Sequence, residues 1–149
     1  MTNVPTLASV VKIKDPLLRA TRAAEIVHDA QERAEATRNA RDLAALHLER
    51  VQHWRPVDIV DLIGVSRGLF VRIRQRGPAH LPVIDNAEDV ARTMGEETIK
   101  WDTLAKQAGL VRDNAIYEAR QAGISNADLH RATGLTTARI AQLKHGPQV

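Results

Sequence analysis

Residues 54–74 read Trp54-Arg-Pro-Val-Asp-Ile-Val-Asp-Leu-Ile-Gly-Val-Ser-Arg-Gly-Leu-Phe-Val-Arg-Ile-Arg. Residues 124–144 read Ile124-Ser-Asn-Ala-Asp-Leu-His-Arg-Ala-Thr-Gly-Leu-Thr-Thr-Ala-Arg-Ile-Ala-Gln-Leu-Lys. Set seventy residues apart, the two stretches share one pattern. Asp58 aligns with Asp128, Ile59 with Leu129, Gly64 with Gly134, Val65 with Leu135, Ser66 with Thr136, Phe70 with Ile140 and Ile73 with Leu143. Each copy is followed by a Gly-Pro. Identities are few, so the repeat is one of pattern and not of recent duplication.

Each slot has a physical meaning. Ile59/Leu129 and Leu62/Ala132 put an apolar stripe on a first short helix. Gly64/Gly134 ends that helix where a positive φ is needed. Val65/Leu135 fills the corner. Ser66/Thr136 caps a second helix by accepting a backbone N–H. Phe70/Ile140 and Ile73/Leu143 turn that helix inward and leave its other face exposed. The pattern is a helix-turn-helix, present twice, and the predicted fold class is all-α.

This arrangement resembles the bacterial helix-turn-helix DNA-binding superfamily, closest in style to its sigma-factor region-4 and resolvase-like versions. The first 78 residues also look like actinobacterial and phage-type regulators, in which a long arm beginning Asp15-Pro16-Leu17 precedes the motif. Two departures stand out. Phe70 is larger than the usual Val, and Gly68 weakens the start of the first recognition helix by about 1 kcal/mol relative to Ala. The resemblance implies double-stranded DNA as partner, with each recognition helix entering a major groove. The implied contacts are Ser66, Arg67, Gly68, Val71, Arg72, Arg74 and Gln75 in the first copy. In the second they are Thr136, Thr137, Ala138, Arg139, Gln142, Lys144 and His145.

Charge agrees with that placement. The formal net charge is only +3. Its distribution matters more. Residues 66–76 hold Arg67, Arg72, Arg74 and Arg76 without an acid, and 136–146 hold Arg139, Lys144 and His145, again without one. Residues 85–102 carry Asp85, Glu88, Asp89, Glu96, Glu97 and Asp102 against two bases. Arginine is strong on phosphate as well as guanine, whereas Thr and Gln gain little without a matching base edge. The first copy is therefore expected to supply more electrostatic affinity. The second should supply more base discrimination, through Thr137, Arg139 and Gln142.

Outside the repeat, residues 1–14 read as a tail, extended at Val10–Lys14. Residues 15–78 form a long helix plus the first helix-turn-helix. Asp15 caps that helix, and Pro16 suits its first position. Nothing breaks it before His53, a length near 55 Å. Its middle, Asp29 to Asp42, has only Ala as an apolar residue. It reads as a solvated arm or one side of a thin Ala-seamed helix pair. Residues 79–95 read as a linker and a short acidic helix, capped by Asn86 and interrupted at Gly95. Residues 96–149 form the second helix-turn-helix domain, with a further break at Gly109.

With 149 residues, 44% hydrophobic and 26% charged, the composition is that of an ordinary globular protein. Aromatics are 3%, so the core is built from Ala, Leu, Ile and Val; Trp54 and Trp101 read as core residues. The absence of Cys excludes disulfides, thiolate zinc sites and a Cys nucleophile. His28, His47, His53, His80, His130 and His145 show no metal-ligand spacing, and no metal or other cofactor is expected. Ser66 and Ser125 occupy cap or turn slots, and the acid pairs lie on different helix faces. No enzyme is expected. Neither a small-molecule pocket nor a membrane span is expected, and the default compartment is the cytoplasm, in association with the nucleoid.

The leading expectation is a transcriptional regulator, a repressor, reading a bipartite or extended site. A homodimer is expected through the 17–40 helix, with Leu18, Ile26, Val27 and Ala30 as the seam. The rival is an adaptor of RNA polymerase, or of a plasmid or phage partition or replication complex, with secondary DNA binding.

Overall fold

A computed structural model describes residues 3–143. Among these, seven helices and no strand occur: α1 (Leu7–Val10), α2 (Pro16–Arg50), α3 (Pro56–Ile63), α4 (Arg67–Arg76), α5 (Ala87–Gln121), α6 (Asn126–Thr133) and α7 (Thr137–Gln142). The fold is all-helical with a long helix near its start, as the sequence indicates. Asp15 caps that helix, its Oδ1 accepting the Leu17 N–H at 3.1 Å.

The chain forms two compact units. One is Glu32–Trp101; the other combines the residues up to Gln31 with those from Asp102 onward. Each unit thus holds the C-terminal half of one long helix, the two short helices that follow it, and the N-terminal half of the other long helix. In the Glu32–Trp101 unit, Leu46 and Leu48 of α2 and Ile59, Ile63, Phe70 and Ile73 of α3 and α4 form the core, with Ala87 and Ala91 of α5. In the other unit, Ala20 of α2 meets Ala115, Ile116 and Ala119 of α5, Leu129 of α6 and Ile140 of α7. A second cluster there joins Val10, Ala23, Ile26, Val27 and Ala108.

The repeat runs deeper than the short helices. α2 and α5 are each 35 residues long. Arg41 Nε donates to its neighbour Asp42 at 2.9 Å, and Arg112 Nε donates to Asp113 at 3.1 Å. Ala44 and Ala115 are both fully buried. Both long helices end in a left-handed residue, His53 (φ 58°) and Gly123 (φ 90°). The Trp54 N–H then bonds back to Leu48 and the Ile124 N–H to Ala119, each at 3.0 Å. The first of these turns is one residue longer. The long helices therefore match at a spacing one greater than the short ones.

Four expectations need correction. Residues 1–14 are not simply an extended tail. Thr6 Oγ1 accepts the Ser9 N–H at 3.2 Å and starts α1, which buries Val10 completely. Next, α5 is continuous through Gly95 and Gly109. Gly95 is no breaker. It lets the helix approach the Ile63 backbone, where a Cβ would lie 3.1 Å from the Ile63 carbonyl oxygen. Asn86, at φ 54°, takes a left-handed conformation before α5 and not the extended one of an N-cap. Of the two alternatives for the middle of α2, a solvated arm or one side of an Ala-seamed helix pair, the structure shows the second. Ala30 and Ala34 are buried, and Thr98 of α5 reaches Thr37 at 2.9 Å between hydroxyl oxygens. Finally, the four residues named for a dimer seam do not present one free face. Ile26, Val27 and Ala30 lie inside the chain's own core, and only Leu18 is exposed.

Candidate nucleic-acid interface

Local chemistry sets the first helix pair. Pro56 opens α3, and Arg55 Nε donates to Asp58 at 3.0 Å. That hydrogen bond, with the carboxylate charge, raises the Arg55 pKa. Gly64 closes the helix at φ 69°, its N–H bonded to the Val60 carbonyl at 3.0 Å. Ser66 Oγ accepts the Leu69 N–H at 3.1 Å and starts α4. Phe70 and Ile73 then point into the core.

The second pair repeats this geometry. Ser125 Oγ accepts the Asp128 N–H at 3.1 Å. Gly134, at φ 77°, bonds to the His130 carbonyl at 2.8 Å. Thr136 Oγ1 accepts the Arg139 N–H at 3.1 Å. Leu129 and Ile140 are fully buried. Asp128 is ion-paired with Arg131. The Arg131 hydrogen bond, then that of Ser125 and the Arg131 charge, lower its pKa. A carboxyl lowered by folding stabilises the fold above its unfolded pKa and loses that contribution as pH falls. The protection of the Leu129 amide, taken relative to its intrinsic exchange rate at each pH, is therefore expected to fall below about pH 4, and less so in Asp128→Asn. Equal acid sensitivity in the two proteins would show that this pair does not hold α6.

The expected contact residues of α4 fall into two groups. Ser66, Arg67, Gly68, Val71, Arg72 and Gln75 are exposed, as is the neighbouring Arg76. Arg67, Arg72 and Arg76 have no ion pair among the described residues. Arg74 differs. Its Nη2 sits 2.7 Å from Glu49 of α2, and its guanidinium lies over the Phe70 ring at 4.8 Å. Arg74 is exposed as well, but unlike Arg67 and Arg72 it is tied to α2, and Glu49 offsets part of its charge.

On α7, Thr136, Thr137, Ala138, Arg139 and Gln142 are exposed. Arg139 Nη2 lies 3.7 Å from Asp113, which offsets part of its charge. Lys144 and His145 lie outside the described residues. Two further residues shape this pair. Arg120 of α5 donates to the Ile140 and Leu143 carbonyls at 3.3 and 3.2 Å, so it binds the carbonyl end of α7. His130 Nδ1 lies 2.7 Å from the Leu135 carbonyl and closes the turn between α6 and α7. Neither leaves a sequence signal, because both depend on where another element lies.

No cluster of His, Cys, Asp or Glu suited to a metal ion occurs among the described residues. No described helix is long and apolar enough to cross a membrane. Comparison with protein-family models, with curated proteins and with solved structures finds no match to this chain.

Proposed function

We propose that the chain is a sequence-specific double-stranded-DNA-binding protein of helix-turn-helix type. It is a transcriptional repressor acting on the nucleoid in the cytoplasm, and each helix pair takes part of an extended site. The observation that carries this reading is the outer face of α4. Arg67, Arg72 and Arg76 stand there on a capped helix, with no acid between residues 66 and 76 and no ion pair among the described residues. Such a face suits a polyanion, because each arginine that meets a phosphate releases condensed counterions. Gly68, whose Cβ position has nothing within 4 Å, leaves room at the start of the helix for a close backbone approach. α7 has fewer cations and a small, polar surface at Thr137, Ala138 and Gln142, which suits contact with base edges more than with phosphate.

The test is a mobility-shift titration of the full chain against genomic duplexes at two salt concentrations. Arg67→Ala with Arg72→Ala is expected to weaken binding about tenfold or more. The slope of log affinity against log salt should fall by about two. Arg74→Ala should change that slope little, because Glu49 already faces its charge. Equal affinity of wild type and the Arg67/Arg72 variant at both salts would remove α4 from the interface.

A further inference from the structure

Between α3 and α4 lies an open groove of about 420 Å³, lined by Val57, Val60, Phe70 and Val71 together with Pro56, Arg67 and Arg74. Val57 is 38% exposed and Val71 44%. A single exposed valine needs no explanation. Two at one groove do, when one of them stands on the helix whose outer face carries arginines with no ion pair among the described residues. The second helix pair supplies an internal comparison. At the equivalent positions it has Ala127 for Val57, His130 for Val60, Thr137 for Arg67 and Ala141 for Val71. The same geometry there presents small or polar side chains. The bulky apolar surface belongs to the first pair alone, so the turn itself does not require it.

The major groove displays one apolar group, the C5-methyl of thymine. Val71 follows Arg67 by one helical turn and precedes Arg72 in the chain. An apolar contact at Val71 is thus flanked by cations that the phosphate rows of the groove would neutralise. We infer that Val71, backed by Val57, reads thymine methyl groups, so that the first helix pair selects thymine-containing sites by apolar contact. The inference rests on the DNA-binding reading above. It goes further in naming the chemical feature recognised and the side chains that recognise it.

The full chain is used to select duplexes from a random pool, and the selected duplex is remade with uracil replacing each thymine in turn. Uracil differs only by the missing methyl. At one or two positions it is expected to weaken binding about fourfold each, the value of one buried methyl. In Val71→Ala the thymine-to-uracil ratio at those positions should fall to near one, while affinity for the uracil duplex stays within about twofold of wild type. Equal binding of thymine and uracil at every position overturns the inference. It is also the result expected if the groove instead receives an acidic peptide with apolar side chains. A ratio unchanged in Val71→Ala likewise overturns the assignment to Val71. A chain that selects no duplex overturns the DNA-binding reading itself, so the two failures are distinguishable. The uracil series needs no variant and does not depend on one folding.

Discussion

Phe70→Ala is expected to cost the Glu32–Trp101 unit about 3–5 kcal/mol, the range for removing a buried aromatic ring. Phe70 is 2% exposed and heads the largest buried side chains of the protein. It sits among Leu46, Leu48, Ile59, Ile63 and Ile73, so truncation leaves a cavity that several elements would have to fill together. The ring also has a polar duty. Arg74 lies over it and is ion-paired with Glu49, so loss of the ring removes one side of the site that holds this guanidinium. Both tryptophans, Trp54 and Trp101, belong to this unit. Urea unfolding followed by tryptophan fluorescence therefore reports on it directly. A loss below about 1 kcal/mol would mean that the groups around Phe70 collapse onto the vacancy, and that α4 is held mainly through Glu49.

Gly95→Val is expected to destabilise the same unit by about 2–3 kcal/mol. Valine has the better helix propensity, by a few tenths of a kcal/mol, so propensity alone predicts the opposite sign. The close approach decides. Even the Cβ would lie 3.1 Å from the Ile63 carbonyl oxygen and 3.4 Å from its Cα, and backbone cannot rotate away as a side chain can. Gly109 in the same helix provides the control. Its Cβ would meet nothing closer than an Arg112 nitrogen at 3.8 Å. Gly109→Ala should therefore stabilise the protein by about 0.5–1 kcal/mol. If both substitutions stabilise, the α3–α5 contact yields easily and Gly95 has no packing role.

These two glycines show where sequence reading stops. Gly64, Ser66, Gly134 and Thr136 were legible because a cap or a left-handed turn is decided by neighbours within four residues. Gly95 reads as a break in the sequence because its purpose depends on Ile63, more than thirty residues away. Packing on the long helix overrides the local cost. The same distance effect governs the candidate contacts. The sequence places Arg67, Arg72 and Arg74 alike on one helix, and only Glu49 of α2 separates Arg74 from the others. Arg139 meets Asp113 in a comparable way. The extent of the repeat was hidden by one residue. Aligned at the spacing of the short helices, α2 and α5 look unrelated. Shifted by one, Arg41-Asp42 falls on Arg112-Asp113 and Ala44 on Ala115, and the slip lies in the turn around His53.

The division of the long helices between the units bears on the order in which the chain can fold during synthesis. Glu32–Trp101 is contiguous, so every group of its core is available once residue 101 has emerged. The residues up to Gln31 have no such option. Val10, Ala23 and Ile26 find their partner Ala108 only after it is made, and Ala20 must wait for Ile140. The residues made just before Glu32 are thus buried only after those that follow Trp101. Closing so long a loop slows the final step. Until then Leu17, Ile26 and Val27 are open to solvent, on a helix whose far end is already fixed in the finished Glu32–Trp101 unit.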